Sequence, residues 1–542
     1  MELFSGSWAL YAATAVALLV ALTYLYLTST HGLWQRLNVP FIKPDIIYGN
    51  MKEIAQFKKS QNEVFTEFYR HFKDSGHKFG GVWQLRDPVL IICTVDLVKD
   101  ALIKNFPHFH DRHIAHDEHF DPLSAHLIAL EGSKWKYIRS KLNPAFSTSK
   151  LKGMFASMRN TAGRLVEVLS EAAEKGEMME MREFVARYTV EIIGDVAFGI
   201  QVNAMTEDSK FLLMGQKYFE PTKTERICQI ISNTHPWLYK LLKLRSISKE
   251  VTEFFTGVVR KTMEYRRKNS IERNDFLHFL MKIDETSGTN LKDMEEMKGV
   301  KNYNTAINEN SIELTEGVVT AQAFVFFLAG YETSSSALGA CLYQLAYHRD
   351  IQDKLLQEVD EVIKKYSDIT YESLQDLVYV EQVLEETLRM YPPVGILLRK
   401  CTQPYQIPDT NTVIPKGCQM FVPIYAFHHD PEYFPEPEEF RPERFSAENR
   451  KNIPQYAYMP FGHGPRVCIG FRLAMMELKL TLAMIIKNFK ILKCEKTKPF
   501  RMCPQSFFLV PQDGFWVQLK TRTSEDSIKN GSEVTPTTLK GD

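Results

Sequence analysis

Several common signatures are missing from this 542-residue chain. Its eight cysteines form no C-x-x-C pair and no dense framework, so neither a zinc knuckle nor a disulfide scaffold is signalled, and a chain of this length buries a core without staples. All but one of them read as small buried hydrophobes. The 66 basic and 66 acidic residues cancel, which leaves no global basic surface for nucleic acid. There is no G-x-G-x-x-G fingerprint, no flavin segment, no internal repeat and no linker long enough to divide the chain. Nor does any Lys or Arg precede the first apolar run, residues 8–27. A cleavable signal peptide starts basic and has a shorter apolar core.

That run, WALYAATAVALLVALTYLYL, has about the length a helix needs to cross a bilayer. It predicts a retained signal-anchor over residues 1–27. Arg36 and Lys43 follow it, and the positive-inside rule then puts the body in the cytosol. Pro40 and Pro44 mark residues 28–50 as a hinge. The body at 51–520 carries apolar residues at helical spacing over 151–174, 182–198 and 351–365. Strand signals are fewer: a hairpin at 81–93 around Asp87–Pro88, and β regions at 405–415 and 507–519. The sum is a mainly α body with a small β portion. Residues 285–316 and the tail at 521–542 are polar without apolar periodicity, which predicts disorder.

The densest local signal is PFGHGPRVCIG at 460–470. Gly462, Gly464 and Gly470 surround Cys468, so the segment can bend tightly and bring backbone N–H groups near the sulfur. The run FRLAMMELKLTLAMII after it reads as a helix, whose N-terminal dipole favours thiolate. Alone, a glycine-rich turn with a buried cysteine explains the segment equally. In FFLAGYETSSS at 326–336, Gly330 and Thr333 interrupt a long apolar helix pattern with poor helix formers. The Thr hydroxyl can bond back to the carbonyl one turn earlier; a notch with an acid and a hydroxyl could hold dioxygen and relay protons, and a packing notch is the plain alternative. Glu386 and Arg389 stand at i,i+3, a spacing that usually marks a solvated ion pair.

In this order, these segments resemble the cytochrome P-450 family of haem-thiolate monooxygenases, microsomal type. Phe461, Gly462, Gly464, Arg466, Cys468 and Gly470 match its haem-binding loop. Glu386–Arg389 matches its E-x-x-R helix, with PPV and then PERF at 442–445 following. The oxygen-binding A-G-x-E-T segment and the W-x-x-x-R helix have counterparts at 329–333 and 135–139. The resemblance implies the cytochrome P-450 fold, with haem b between the oxygen-binding helix and the cysteine-loop helix and Cys468 as axial ligand to the iron. It implies a buried structural network of Glu386, Arg389 and Arg444. Thr333 is expected to deliver protons with Glu332 assisting, and Ala329 and Gly330 to leave space over the iron. Trp135, Arg139, Arg399 and Arg466 are the expected propionate contacts. A thiolate ligand pushes electron density towards iron and favours O–O cleavage, which makes O2 the co-substrate.

With no nucleotide site in the chain, electrons are expected from NADPH through a separate flavoprotein reductase, with cytochrome b5 as a second partner. Lys134, Lys141 and Arg472 are candidate docking cations, with ordinary solvated charge as the plain reading. The implied location is the endoplasmic reticulum membrane, held by a single pass.

Residues 106–127, FPHFHDRHIAHDEHFDPLSAHL, are most like insect detoxification members, which implies lipophilic foreign compounds as substrates. His110, His113, His116 and His119 stand at three-residue steps. A metal site would need fixed geometry and supporting partners, and a variable polar loop explains them as well. Phe120, Phe324, Phe327, Leu397, Phe507 and Phe508 are expected to wall the pocket, although core packing accounts for such residues too. Residues 235–244, HPWLYKLLKL, read as an amphipathic segment that dips into a bilayer surface or as a core-facing helix. An endogenous hormone or fatty-acid hydroxylase is the alternative within the enzyme class. A haem ligand sensor is the alternative outside it, and a sensor has no need of a proton relay.

Overall fold

A computed structural model describes residues 2–205, 209–273, 275–286 and 315–522. Most of the polar stretch at 285–316 and nearly all of the tail at 521–542 lie outside the described residues. Helix α1, Glu2–Thr28, is the one helix among the described residues long and apolar enough to cross a membrane; that stretch is Leu10–Thr28, and none of it is buried.

Residues 28–50, expected as a hinge, are docked instead. Trp34 is fully buried and its indole N–H donates to Val82 O at 3.1 Å. Pro40 O accepts from Gly81 N at 2.7 Å, which runs this segment alongside the first strand. The prolines stiffen the chain, but the large apolar Trp34 decides where it goes.

The longer helices of the body are α2 Gln61–Asp74, α3 Gly132–Leu142, α4 Thr148–Glu174, α5 Met181–Ile193, α6 Lys210–Phe219 and α7 Lys223–Thr234. Then come α8 Pro236–Leu241, α9 Lys249–Asn269, α10 Phe276–Thr286, α11 Glu316–Tyr347, α12 Arg349–Tyr366, α13 Val378–Met390 and α14 Phe471–Asn488. The apolar spacing thus marked α4, α5 and α12 closely; α5 closes in a π turn, Gly194–Phe198, and stops at Gly199 with φ 62°, a left-handed cap that glycine adopts without strain. Helix α11 is apolar nearly all round and buried along most of its length, as befits a helix at the centre of a core.

The β portion is small. Strands β1 Phe79–Gln84 and β2 Asp87–Ile92 form the expected hairpin. Beyond β3 Met178–Glu180 come β4 Leu397–Lys400, the short pair β5 Tyr405–Gln406 and β6 Val413–Ile414, and β7 Gln419–Val422. Two further strands follow among the described residues, β8 Phe489–Leu492 and β9 Trp516–Thr521. Sheet order is β1-β2-β7-β4, with β2 and β7 parallel, and a second sheet runs β3-β9-β8. Of the β region expected at 507–519, only the last part is strand. Pro511 has no N–H to donate, and Gly514 turns the chain at φ 82°, so 507–515 crosses the core edge as a loop.

Candidate active site

The cysteine loop is folded by its glycines. Gly462 and Gly464 take φ 72° and 75°, and a Cβ on Gly464 would stand 2.1 Å from Leu102 O, so only glycine fits there. Met459 O accepts from Gly462 N and Phe461 O accepts from Cys468 N, each at 2.9 Å. Gly470 then opens α14. Cys468 lies deep in the molecule, yet its side chain is accessible, so it borders an interior chamber. Ala329 is likewise exposed midway along the otherwise buried α11, and Thr333 one turn on is half-exposed; at i,i+4 they share a helix face. Phe146 links the two walls, stacking on Phe326 of α11 at 5.2 Å and approaching Gly470 from the other side.

Burial pushes the Cys468 thiol up, against the opposing pull of the Gly470 N–H, Arg139 and Arg112. The helix-end effect expected to favour thiolate is therefore outweighed in the bare protein, and a bound metal cation is what would hold the thiol deprotonated.

Around the chamber stand four guanidiniums. Trp135 and Arg139 share a face of α3 at i,i+4 spacing. Arg466 lies over the Trp135 indole at 4.0 Å and donates to His110 O, Leu127 O and Leu130 O at 2.7, 3.2 and 2.7 Å. Arg399, on β4, is 1% exposed. It donates through Nη1 to Leu398 O, while its Nε is buried without a partner. The fourth, Arg112, donates to Arg466 O at 3.1 Å; the sequence reading passed it over, because a lone arginine in a polar loop carries no periodicity. Burial lowers Arg139, and burial with mutual repulsion pulls the other three down, Arg112 to about 10 and Arg466 to about 8, and Arg399 far below its usual value. Guanidiniums do not deprotonate in proteins, so the pull expresses a charge-burial cost. Asp111, 3.8 Å from Arg466, offsets part of it. A dianion would offset the rest, and the two propionates of a haem, with Cys468 for its iron, fit this donor set.

Behind the loop, Arg389 donates Nε and Nη2 to the two oxygens of Glu386 at 2.7 and 2.9 Å, and Arg444 Nε reaches the same carboxylate at 3.2 Å. All three side chains are buried. The i,i+3 pair is thus a core network and no solvated bridge.

Other expected site residues fall elsewhere. Phe324 and Phe327 have no exposed surface and pack on Phe255 at 5.0 and 4.9 Å. They lie on the face of α11 turned from Ala329 and belong to the core, which corrects their reading as pocket walls. Gly330 faces Ile193, whose Cδ1 would stand 2.4 Å from an added Cβ; it permits close approach of α5 and leaves no space of its own over the Ala329 face. Glu332 is buried and paired with Arg182 at 2.8 Å, so it turns towards α5. Burial raises its carboxyl while Arg182 opposes.

Phe120 packs on Tyr239 at 5.0 Å, and Phe508 meets Phe219 edge-on at 5.5 Å. Phe507 is 48% exposed, its carbonyl accepting from Gln61. Leu397 lies against Gly462. Ile128, just beyond the 106–127 segment, is exposed between buried neighbours and was missed. Lys134 is ion-paired with Glu118. Among the described residues no three His, Cys, Asp or Glu side chains converge as a metal site, and His110 bonds Asp111 at 2.5 Å.

An accessible thiol inside an α-helical body, ringed by cations suited to two carboxylates, defines the haem-thiolate class. The cytochrome P450 family profile matches residues 39–519. Cytochrome P450 6a8 of Drosophila melanogaster is 38% identical over 94% of this chain and 98% of its own length. Cytochrome P450 6A1 of Musca domestica is 35% identical over 95% and 98%. The chain belongs to the cytochrome P450 family and is a haem-dependent monooxygenase that uses O2.

Proposed function

We propose that this monooxygenase inserts one oxygen atom from O2 into lipophilic foreign compounds such as plant toxins or insecticides. The observation that carries the reading is the chamber between Cys468 and the Ala329–Thr333 face of α11, with the apolar Ile128 and Leu397 near its edge. Apolar walls suit apolar ligands. When bound, the haem supplies the oxygen activation. Cys468 Sγ would hold the iron, and Arg112, Arg139, Arg399 and Arg466 would hold the propionates. Ala329 leaves room beside the substrate, and the Thr333 hydroxyl, 2.5 Å from Ala329 O, holds and passes protons at its oxygen.

The electrons come from NADPH through a separate flavoprotein reductase, with cytochrome b5 as a second donor. Arg472, exposed at the start of α14, is a docking cation on the cysteine side. The anchor α1 holds the body on the cytosolic face of the endoplasmic reticulum. Trp237 and Leu241 of α8 with Leu242 just after it, 63%, 69% and 56% exposed, dip into the same bilayer. Tyr26 of α1 stacking on His235 at 6.1 Å supports one common membrane surface, from which lipophilic substrates enter.

The test is turnover of a mixed panel of lipophilic compounds by the full chain in membranes with reductase and NADPH. Several oxidised products, lost in Cys468→Ser, are expected. A single accepted substrate would replace this reading with a biosynthetic one, and haem binding without NADPH-dependent product would overturn it.

A further inference from the structure

The bonds from the Glu386 network to the cysteine loop pass through one histidine that no motif assigns. His428 is fully buried. Its carbonyl accepts from Arg389 Nη1 at 2.8 Å, its Nδ1 lies 3.0 Å from Arg389 O, and its Nε2 lies 2.9 Å from Met459 N. A carbonyl oxygen only accepts, so Nδ1 carries the hydrogen. A backbone N–H only donates, so Nε2 offers its lone pair. The tautomer is therefore fixed by the two partners, and an imidazolium would set Nε2–H against Met459 N–H. Burial, with His429 and Arg389 adding to it, keeps the ring neutral.

Met459 is where the loop begins, and its carbonyl closes the turn with Gly462 N; Phe461, inside that turn, accepts Cys468 N. The ring also stacks on Tyr458 at 5.4 Å, and the Tyr458 hydroxyl donates to Glu385 O. An unbroken chain of bonds thus runs from Glu386 through Arg389, His428 and Met459 to Cys468.

We propose that His428 is a positioning residue for the thiolate: its Nε2 lone pair fixes Met459 N–H and so sets the height of the Cys468 sulfur. This rests on Cys468 being the iron ligand. In the alternative, His428 merely fills space under α13, and any well-packed replacement serves.

The two readings separate by which nitrogen matters. His428→Gln places an acceptor near the Nε2 position, whereas His428→Asn places a donor near Nδ1 and leaves Met459 N–H unanswered. The full chain in membranes is reduced under carbon monoxide, and the ratio of the red-shifted to the unshifted Soret band is read per haem retained, so unfolded protein drops out. Wild type and Cys468→Ser are run beside them: a red-shifted band in the first and none in the second supports Cys468 as ligand, and retention of the band in the second sinks that reading separately. The ratio is expected to fall about fivefold in His428→Asn, the factor for one lost hydrogen bond, and to stay near wild type in His428→Gln.

If either variant retains too little haem, amide exchange of the peptide containing Met459, referenced to peptides of α11 in the same sample, gives the answer. Met459 should lose protection in the Asn variant and keep it in the Gln variant. Equal behaviour of the two variants, by the band ratio or by exchange, overturns the proposal. Tyr458→Phe, which leaves the Met459 bond intact, should match wild type in both readouts.

Discussion

Arg112 and Arg466 are joined cation to backbone: an Nη2 hydrogen of the first bonds the carbonyl of the second at 3.1 Å, and the guanidinium of the second lies over the Trp135 indole at 4.0 Å. The two like charges approach each other without a carboxylate between them, although Asp111 stands at 3.8 Å from Arg466. Such a cluster costs free energy until a dianion joins it.

The sign of an arginine substitution should consequently reverse with haem. Arg112→Leu removes a charge-assisted hydrogen bond of about 1.5–3 kcal/mol from the loaded protein, so haem should leave roughly 10- to 100-fold faster, read as transfer to an excess of a haem-accepting protein. In the haem-free protein the same change relieves repulsion and should raise the melting temperature. A melting temperature lowered in both states would mean that Arg112 serves packing.

The Glu386 carboxylate answers two buried guanidiniums at once. Glu386→Gln leaves both under-compensated, a loss of about 3–5 kcal/mol for a broken buried pair. Membrane-bound chain with little haem is expected, measured as haem per protein together with thermal stability. Arg444→Leu should cost less, because Arg389 remains paired with Glu386. Full haem content in Glu386→Gln would contradict the network's role.

Much of this was readable from residue order alone, and the failures have physical causes. The Cys468 loop and the Glu386–Arg389 pair were legible because their order along the chain resembles the family pattern; the spacing of either alone reads as a turn or a solvated pair, although Gly464 needs its positive φ whatever surrounds it. Phe324 and Phe327 were misplaced because α11 is apolar almost all round, so periodicity could not say which face meets the chamber. Arg112 and His428 act through tertiary partners more than 30 residues away, Arg466 and Met459, and no local pattern encodes them. Residues 28–50 read as a hinge because their prolines are visible in sequence while the destination of Trp34 is not.

Gly464→Ala tests the loop backbone. The added methyl would lie 2.1 Å from Leu102 O, at a φ that alanine adopts only with strain of about 1–2 kcal/mol. The obstacle is the Leu102 backbone carbonyl and no flexible side-chain end, so the loop should shift and haem occupancy fall, with α-helical content by circular dichroism unchanged. Normal occupancy would show that the loop has slack.

Thr333→Val keeps the volume and removes the hydroxyl now bonded to Ala329 O. If that oxygen passes protons, product formation should drop by about 100-fold, the lower range for a positioned proton-transfer group, while haem content and NADPH oxidation persist. The measurement is product formed per NADPH consumed. An unchanged ratio would reduce Thr333 to a helix-packing residue.

The last expectation concerns pH. Glu477, on α14, is 4% exposed; one oxygen accepts from Ser334 Oγ at 3.1 Å and the other has no partner. The neighbouring Tyr188 hydroxyl is engaged with Thr481. Burial pushes the carboxyl up to about 8 from an unfolded value of 4.5. Between those values the folded chain keeps a proton that the unfolded chain has released, so this group's contribution to stability is complete at low pH and declines as pH rises through the window. The slope approaches about 1.4 kcal/mol per pH unit and flattens above the folded value. Glu477→Gln keeps the acceptor for Ser334 and has no proton to lose. Its denaturation midpoint should therefore exceed that of wild type at about pH 8.5 and converge with it towards about pH 5. Parallel pH profiles for the two proteins would mean that water or rearrangement reaches the carboxylate, and that the cysteine helix tolerates a charge at its centre.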